Sequence, residues 1–114
     1  MRHIIEPSSL TTDLKALSAR NNLRPTRLEV LGPGKDFDSD FWLEDGLLLS
    51  GIDLEPDGKY GPYIEIMLQS QAQHHMTHSI AGVKRVEVET NQGIDESLEI
   101  EDAAGTVTVM HFGV

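Results

Sequence analysis

The last thirty-odd residues constrain the fold more than any other stretch. Three runs follow one another with short connections, at residues 83–90 (VKRVEVET), 96–101 (ESLEIE) and 106–112 (TVTVMHF). Val86 and Val88, Leu98 and Ile100, and Val107 and Val109 sit at alternate positions, with Glu or Thr between them. Side chains on a strand point to opposite faces with a period of two, so each run makes one dry face and one wet face. The expectation is an antiparallel meander half-covered by something else. Asp102-Ala103-Ala104-Gly105 reads as a tight connection, with Gly105 where the turn wants positive φ. Asn91-Gln92-Gly93-Ile94-Asp95 reads as a longer and looser one.

The cover has one clear candidate. Residues 8–22 read as a helix, in which Leu10, Leu14 and Leu17 fall at i, i+4 and i+7 and form one apolar stripe. Ser9 or Thr11 suits the N-cap, and Asp13 suits the positive end of the dipole. Arg20 stands in the last turn, Asn21-Asn22 offer a left-handed stop, and Pro25 prevents continuation. So narrow a stripe places the helix against a sheet and not within a bundle.

Between helix and meander, strand patterns occur at 26–31 and at 63–69, where Ile64, Ile66 and Leu68 share a face. Gly32-Pro33-Gly34-Lys35 is turn chemistry, and residues 53–62 are loop-like in composition. Asp45-Gly46 between apolar runs predicts a type I′ hairpin joining two strands. Leu47-Leu48-Leu49, apolar on both faces, predicts the central or most buried strand. Residues 69–79 show no clear period and are expected to be irregular, with a short strand near 76–80. The fold expected is therefore a single α+β domain over residues 1–114. One N-terminal helix packs on a strongly twisted, mostly antiparallel sheet of six or seven strands, with partial closure into a barrel as the alternative.

Composition narrows the function classes. The absence of cysteine excludes a disulfide framework, a thiolate zinc site and a cysteine nucleophile. The net charge is −10, unevenly spread. Residues 1–35 hold six basic and three acidic groups, and the remainder three basic and sixteen acidic ones. An acidic chain repels phosphate backbones, so nucleic acid is not an expected partner. No signal peptide and no membrane-spanning run is visible, and the expected location is the cytoplasm.

His74, His75 and His78 lie within five positions and are the candidate metal ligands, two imidazoles on one face needing a third ligand from elsewhere, such as His111 or a carboxylate. No acidic neighbour is placed to orient them, and no cofactor is expected. Two acidic stretches fail as calcium loops. Residues 36–47 have Phe41 where glycine is needed and Leu47 where a bidentate Glu is needed, and residues 53–64 end on Ile64. Gly34-Lys35 lacks the earlier glycine of a phosphate loop, and G-x-S-x-G is absent, so no catalytic residue is assigned. Trp42, Tyr60 and Tyr63 are candidate interaction anchors, because such rings combine a large apolar area with a polar tip.

The helix leading into Arg27-Leu28-Glu29-Val30, the central Gly51-Ile52-Asp53 with Pro56-Asp57, His75 and His78 ahead of Val86-Glu87-Val88, and Leu98-Glu99-Ile100 leading to Asp102 and Gly105 form a pattern over most of the chain. It resembles a family of small bacterial proteins of about this length, known only as a domain of unknown function. The chain departs from that pattern by Lys59-Tyr60-Gly61 and by the connection at 91–96. The resemblance implies a helix followed by a β-meander, and it supplies no catalytic residue. The expectation is a non-enzymatic protein-interaction or self-association module, a homo-oligomer with a dimer favoured, or a binder of another protein. The alternative is a small-molecule or metal-binding domain, enzymatic or not, using His74, His75 and His78. The three-leucine stripe is too narrow to shield the whole sheet. Either the sheet curls on itself or a second copy covers the rest, and the second is favoured.

Overall fold

The computed structural model describes residues 1–32, 41–56, 58–59, 61–70 and 74–113, with the backbone alone for 41–46. The elements run β1 (Arg2–Ile4), a 3-10 turn (Pro7–Ser9), α1 (Leu10–Arg20), β2 (Pro25–Leu31), β3 (Phe41–Glu55), β4 (Tyr63–Gln69), β5 (His75–Ile80), β6 (Val83–Asn91), β7 (Ile94–Asp102) and β8 (Val107–Phe112). The strands form one sheet in the order β1-β6-β7-β8-β2-β3-β4-β5. Every neighbouring pair is antiparallel. The α+β class and the single N-terminal helix are as expected. The count is not: the described residues form eight strands, and the sheet is open and not a closed barrel.

Two local features depart from the expectation, one adding a strand and one merging two. β1 is only three residues long, too short to show a period, and it exists because β6 lends it a ladder: Arg2 faces Glu89 and Ile4 faces Glu87. The Asp45-Gly46 hairpin does not form. Residues 41–55 are one strand, in which Leu47 faces Thr26 and Asp45 faces Arg27, leaving Gly46 as the extra residue of a bulge. A glycine tolerates the bulged backbone as readily as a turn, and here β2 continues the ladder on both sides of it. Another irregularity, against β4, falls between Leu49 and Gly51. There the N–H of Ile52 donates to Ser18 Oγ of α1 at 3.1 Å, which ties the irregular point of the sheet to the helix.

The sheet curls around its own apolar face. β5 and β8 are four places apart in strand order, yet His78 Nε2 lies 3.4 Å from Thr108 Oγ1. Near the opening, Val83 N–H donates to the Pro62 carbonyl at 2.9 Å. Within the curl, Leu28, Ile64, Ile66, Leu98, Ile100 and Met110 are completely buried, and Leu14 and Leu17 of α1 close the remaining side. One chain thus covers its own dry face, and the argument for a second copy as that cover falls away. The most buried strand is β8, where Val107, Thr108, Val109 and Met110 are all buried. In 47–49 only Leu49 is, because β8 lies between β7 and β2 at the middle of the sheet.

The helix lies where expected, with Leu10, Leu14 and Leu17 buried, but its ends differ in detail. Ser9 makes no cap bond to the first turn; its hydroxyl donates back to the Glu6 carbonyl. The left-handed residue that ends the helical segment is Leu23 (φ 65°), not Asn21 or Asn22. Asn21 is occupied otherwise, donating from Nδ2 to the Leu17 carbonyl and to Asp95. The β6–β7 connection is tight and not loose. Gln92 (φ 52°) and Gly93 (φ 80°) both take positive φ, and Asn91 faces Ile94 across a two-residue turn. Gly105 has φ 87°, as its turn requires. The Gly32-Pro33-Gly34-Lys35 turn from Pro33 onward and the 36–40 acidic run lie outside the described residues. No helix among the described residues is long and apolar enough to cross a membrane.

Candidate functional site

The two edges of the sheet are unlike. β1 is short, and Arg2 stands in it, bound to Glu87, Glu89 and Glu99. β5 runs six residues, His-Met-Thr-His-Ser-Ile, without Lys, Arg, Asp, Glu or Pro. Among the described residues it is paired on one side only, to β4, with His75 facing Gln69 and Ile80 facing Ile64. His75, Thr77 and Ser79 are exposed, while Met76, His78 and Ile80 turn inward. An edge strand carries a row of free N–H and C=O groups, which proteins ordinarily guard with charge, proline, brevity or a bulge. β1 has such guards and β5 has none of them.

The sequence-selected histidines therefore do not point to one place. His74 and His75 are exposed, and His78 is on the opposite face of β5 from His75. Burial holds the His78 imidazole below its ordinary pKa. Among the described residues no three His, Asp or Glu side chains converge as metal ligands. Tyr63 is half-buried at the start of β4, opposite Glu55. Tyr60 and the side chain of Trp42 lie outside the described residues; the Trp42 backbone faces Glu29.

Sequence reading missed a second surface, on the outer face of the sheet. Register aligns Ile4, Glu87, Glu99, Val109 and Glu29 in one cross-strand row, and Arg2, Glu89, Ser97, His111 and Arg27 in the next. Arg2 and Arg85 bind the carboxylates between them, with Arg2 to Glu99 at 2.8 Å and Arg85 to Glu101 at 3.0 Å. The Arg2 hydrogen bond, with the charges of Arg2 and Arg85, holds Glu87 below the usual carboxylate range. A cleft of about 440 Å³ opens beside this ladder, lined among others by Glu29, Glu89, Glu96, Ser97, Glu99 and His111. His111 Nε2 lies 2.9 Å from Glu29 Oε1. Ser97 and His111 face each other across β7 and β8, but no hydrogen bond between described residues joins them. The only foreseeable signal was the glutamates at alternate positions, which read equally well as a wet face.

A third cluster is structural. Asp95, buried at the start of β7, accepts from Arg20 Nε and Nη2 at 3.0 and 3.2 Å and from Asn21 Nδ2 at 2.8 Å. Arg24 Nη1 donates to Asn21 Oδ1 and to the Asp95 carbonyl, and its guanidinium carbon lies 5.8 Å from the centre of the Phe112 ring. Burial pushes the Asp95 carboxyl up, but the Arg20 and Asn21 hydrogen bonds and the charges of Arg20 and Arg24 outweigh it, so its pKa falls below the ordinary value. The cluster bolts the C-terminal end of α1 to the β6–β7 hairpin.

Among the described residues, fold and surfaces together define a one-helix α+β domain with a curled, open antiparallel sheet, one guarded edge and one unguarded edge. Comparison with protein-family models, with curated proteins and with solved structures returns no match.

Proposed function

We propose that the protein is a non-enzymatic self-association module whose two copies join by antiparallel pairing of their β5 edges. The observation that carries this reading is the uncharged, one-sided edge of β5 in a chain of net charge −10. Contact between most other surfaces of two copies brings carboxylates together, whereas the β5 edges meet without charge repulsion. A strand is also its own antiparallel partner. A two-fold axis perpendicular to the sheet keeps inner faces on one side, so inward residues pair with inward and outward with outward. Pairing centred on Thr77 would set His75 against Ser79 of the other copy and leave no charged residue in the ladder. The main-chain hydrogen bonds supply affinity, as in strand-addition complexes generally.

The test is sedimentation velocity across a range of concentrations, with Thr77→Lys as the perturbation. Thr77 is exposed, so the lysine is accommodated without touching the core. A mass of two chains that falls to the 12.6 kDa of one chain in T77K is the expected result. A monomer at all concentrations, or a dimer indifferent to T77K, removes the proposal.

A further inference from the structure

β5 carries one titratable side chain on each of its faces. His75 points outward and is exposed, whereas His78 points inward and is half-buried. His78 Nε2 reaches Thr108 Oγ1 of β8 across the curl at 3.4 Å. Its neighbour on β4 is Ile66, completely buried, and Thr108 stands between the buried Val30 of β2 and Ile100 of β7. The helix turns Leu10, Leu14 and Leu17 to the same core. The ionisable groups on the surrounding strands stand mainly on the outer face: Glu65 of β4 alternates with Ile64 and Ile66, and Glu29, Glu99 and His111 belong to the outer ladder. Asp95, at the start of β7, is committed to Arg20 and Asn21. Among the described residues no carboxylate pairs with His78, whose hydrogen-bond partner is Thr108.

Pairing of β5 with β5 encloses His78 further. Centred on Thr77, it sets His78 of one copy against Met76 of the other on the inner side of the joined sheet. Two imidazoles, one per copy, then lose water as the dimer forms. A neutral imidazole tolerates this, whereas an imidazolium with no facing carboxylate does not.

We propose that His78 makes the β5–β5 dimer acid-labile, so that a fall in pH through the mildly acidic range releases folded monomers. The inference rests on the β5 pairing itself. Within one chain, burial already holds the His78 imidazole below its ordinary value. Covering it in the dimer acts in the same direction, so the dimer binds fewer protons than two monomers. Association therefore weakens as pH falls below the monomer's His78 value, by up to about a hundredfold per pH unit with one such group in each copy. Other effects of acid run the opposite way. Protonation elsewhere lessens the net charge of −10 and with it the repulsion between copies. A protonated His75 would face Ser79 of the other copy, whose β4 neighbour is Glu65, and be attracted. The sign of the pH dependence thus separates His78 from the rest of the surface.

The experiment measures the dimer dissociation constant of the full chain by sedimentation velocity from about pH 7 to about pH 5 at fixed ionic strength, with circular dichroism reporting the fold at each pH. Wild type should lose affinity about tenfold or more across this range while keeping its strand signal. His78→Gln keeps a hydrogen-bonding side chain toward Thr108 but takes up no proton, and its affinity should be constant or rise slightly in acid. His75→Gln should keep the acid weakening. Wild-type affinity that is constant or rises in acid, weakening undiminished in H78Q, or dimer loss only together with loss of the strand signal would overturn the inference and leave the pairing standing. A monomer at every pH removes the pairing and this inference with it.

Discussion

Replacing Asp95 with alanine tests whether the clamp between α1 and the β6–β7 hairpin stabilises the fold. Asp95 is 5% exposed and Asn21 1%, so the bond between them forms away from water. Hydrogen bonds to a charged partner contribute about 1.5–3 kcal/mol. Asn21 keeps the Leu17 carbonyl and Arg24 as partners, which places its loss near the lower end. The Arg20 side chain is 54% exposed, so water largely replaces its lost partner, and this pair adds no more than about 1 kcal/mol. The expected destabilisation is about 2–3 kcal/mol. With unfolding entropy near 2.1 cal/mol/K per residue, that lowers the melting temperature by roughly 10 °C for this chain. Asp95→Asn, which keeps an acceptor but not the charge, should cost about half as much. Because the folded pKa of Asp95 is depressed, its contribution is present above the unfolded carboxyl pKa and lost as pH falls through the folded one. The gap between wild type and D95A should therefore close in strong acid. Urea unfolding at one fixed protein concentration, monitored by circular dichroism at neutral and acid pH, reads both. A D95A loss under 0.5 kcal/mol at neutral pH, or a gap that persists in strong acid, would refute the reasoning.

Two further outcomes follow from single sites. The folded pKa of His78 is lowered by burial, so the unfolded chain takes up the proton first as pH drops below about 6.5. Stability should be full above that pH and fall toward the lower folded value, with a shallower fall in His78→Gln; an unchanged slope in the variant would contradict the assignment. Alanine at Gly58 would place its Cβ 2.5 Å from the Gly61 carbonyl oxygen, a backbone atom, whereas at Gly51 it meets only the flexible Met67 Cε at 3.1 Å. G58A should cost about 1–3 kcal/mol and G51A less, and thermal melts that reverse this order would show the clash to be misjudged.

The parts of the fold legible in the sequence were those with a long period. The Leu10/Leu14/Leu17 stripe, the Ile64/Ile66/Leu68 alternation and the closing meander all appear as read. What failed was local chemistry with two solutions. Asp45-Gly46 serves a bulge as well as a hairpin, and β2, fifteen and more residues away in the chain, decides between them. β1 depends wholly on its partner. The curl that covers the apolar face shows in the approach of His78 to Thr108, a contact between residues thirty positions apart. The histidine cluster was conspicuous in the sequence yet is divided by the alternation of β5. Ser97 was inconspicuous, because nothing in ESLEIE marks which polar position will be roofed over.

The central claim is that β5 pairs with β5 of a second copy. Its most direct measurement is amide hydrogen exchange across β5 at protein concentrations on either side of the dimer's dissociation constant. The alternate β5 amides that do not bond to β4 should be unprotected in dilute solution and become protected as concentration rises, while β1 amides stay unchanged. Concentration-independent exchange of those amides, or protection that grows at β1 instead, would contradict the account.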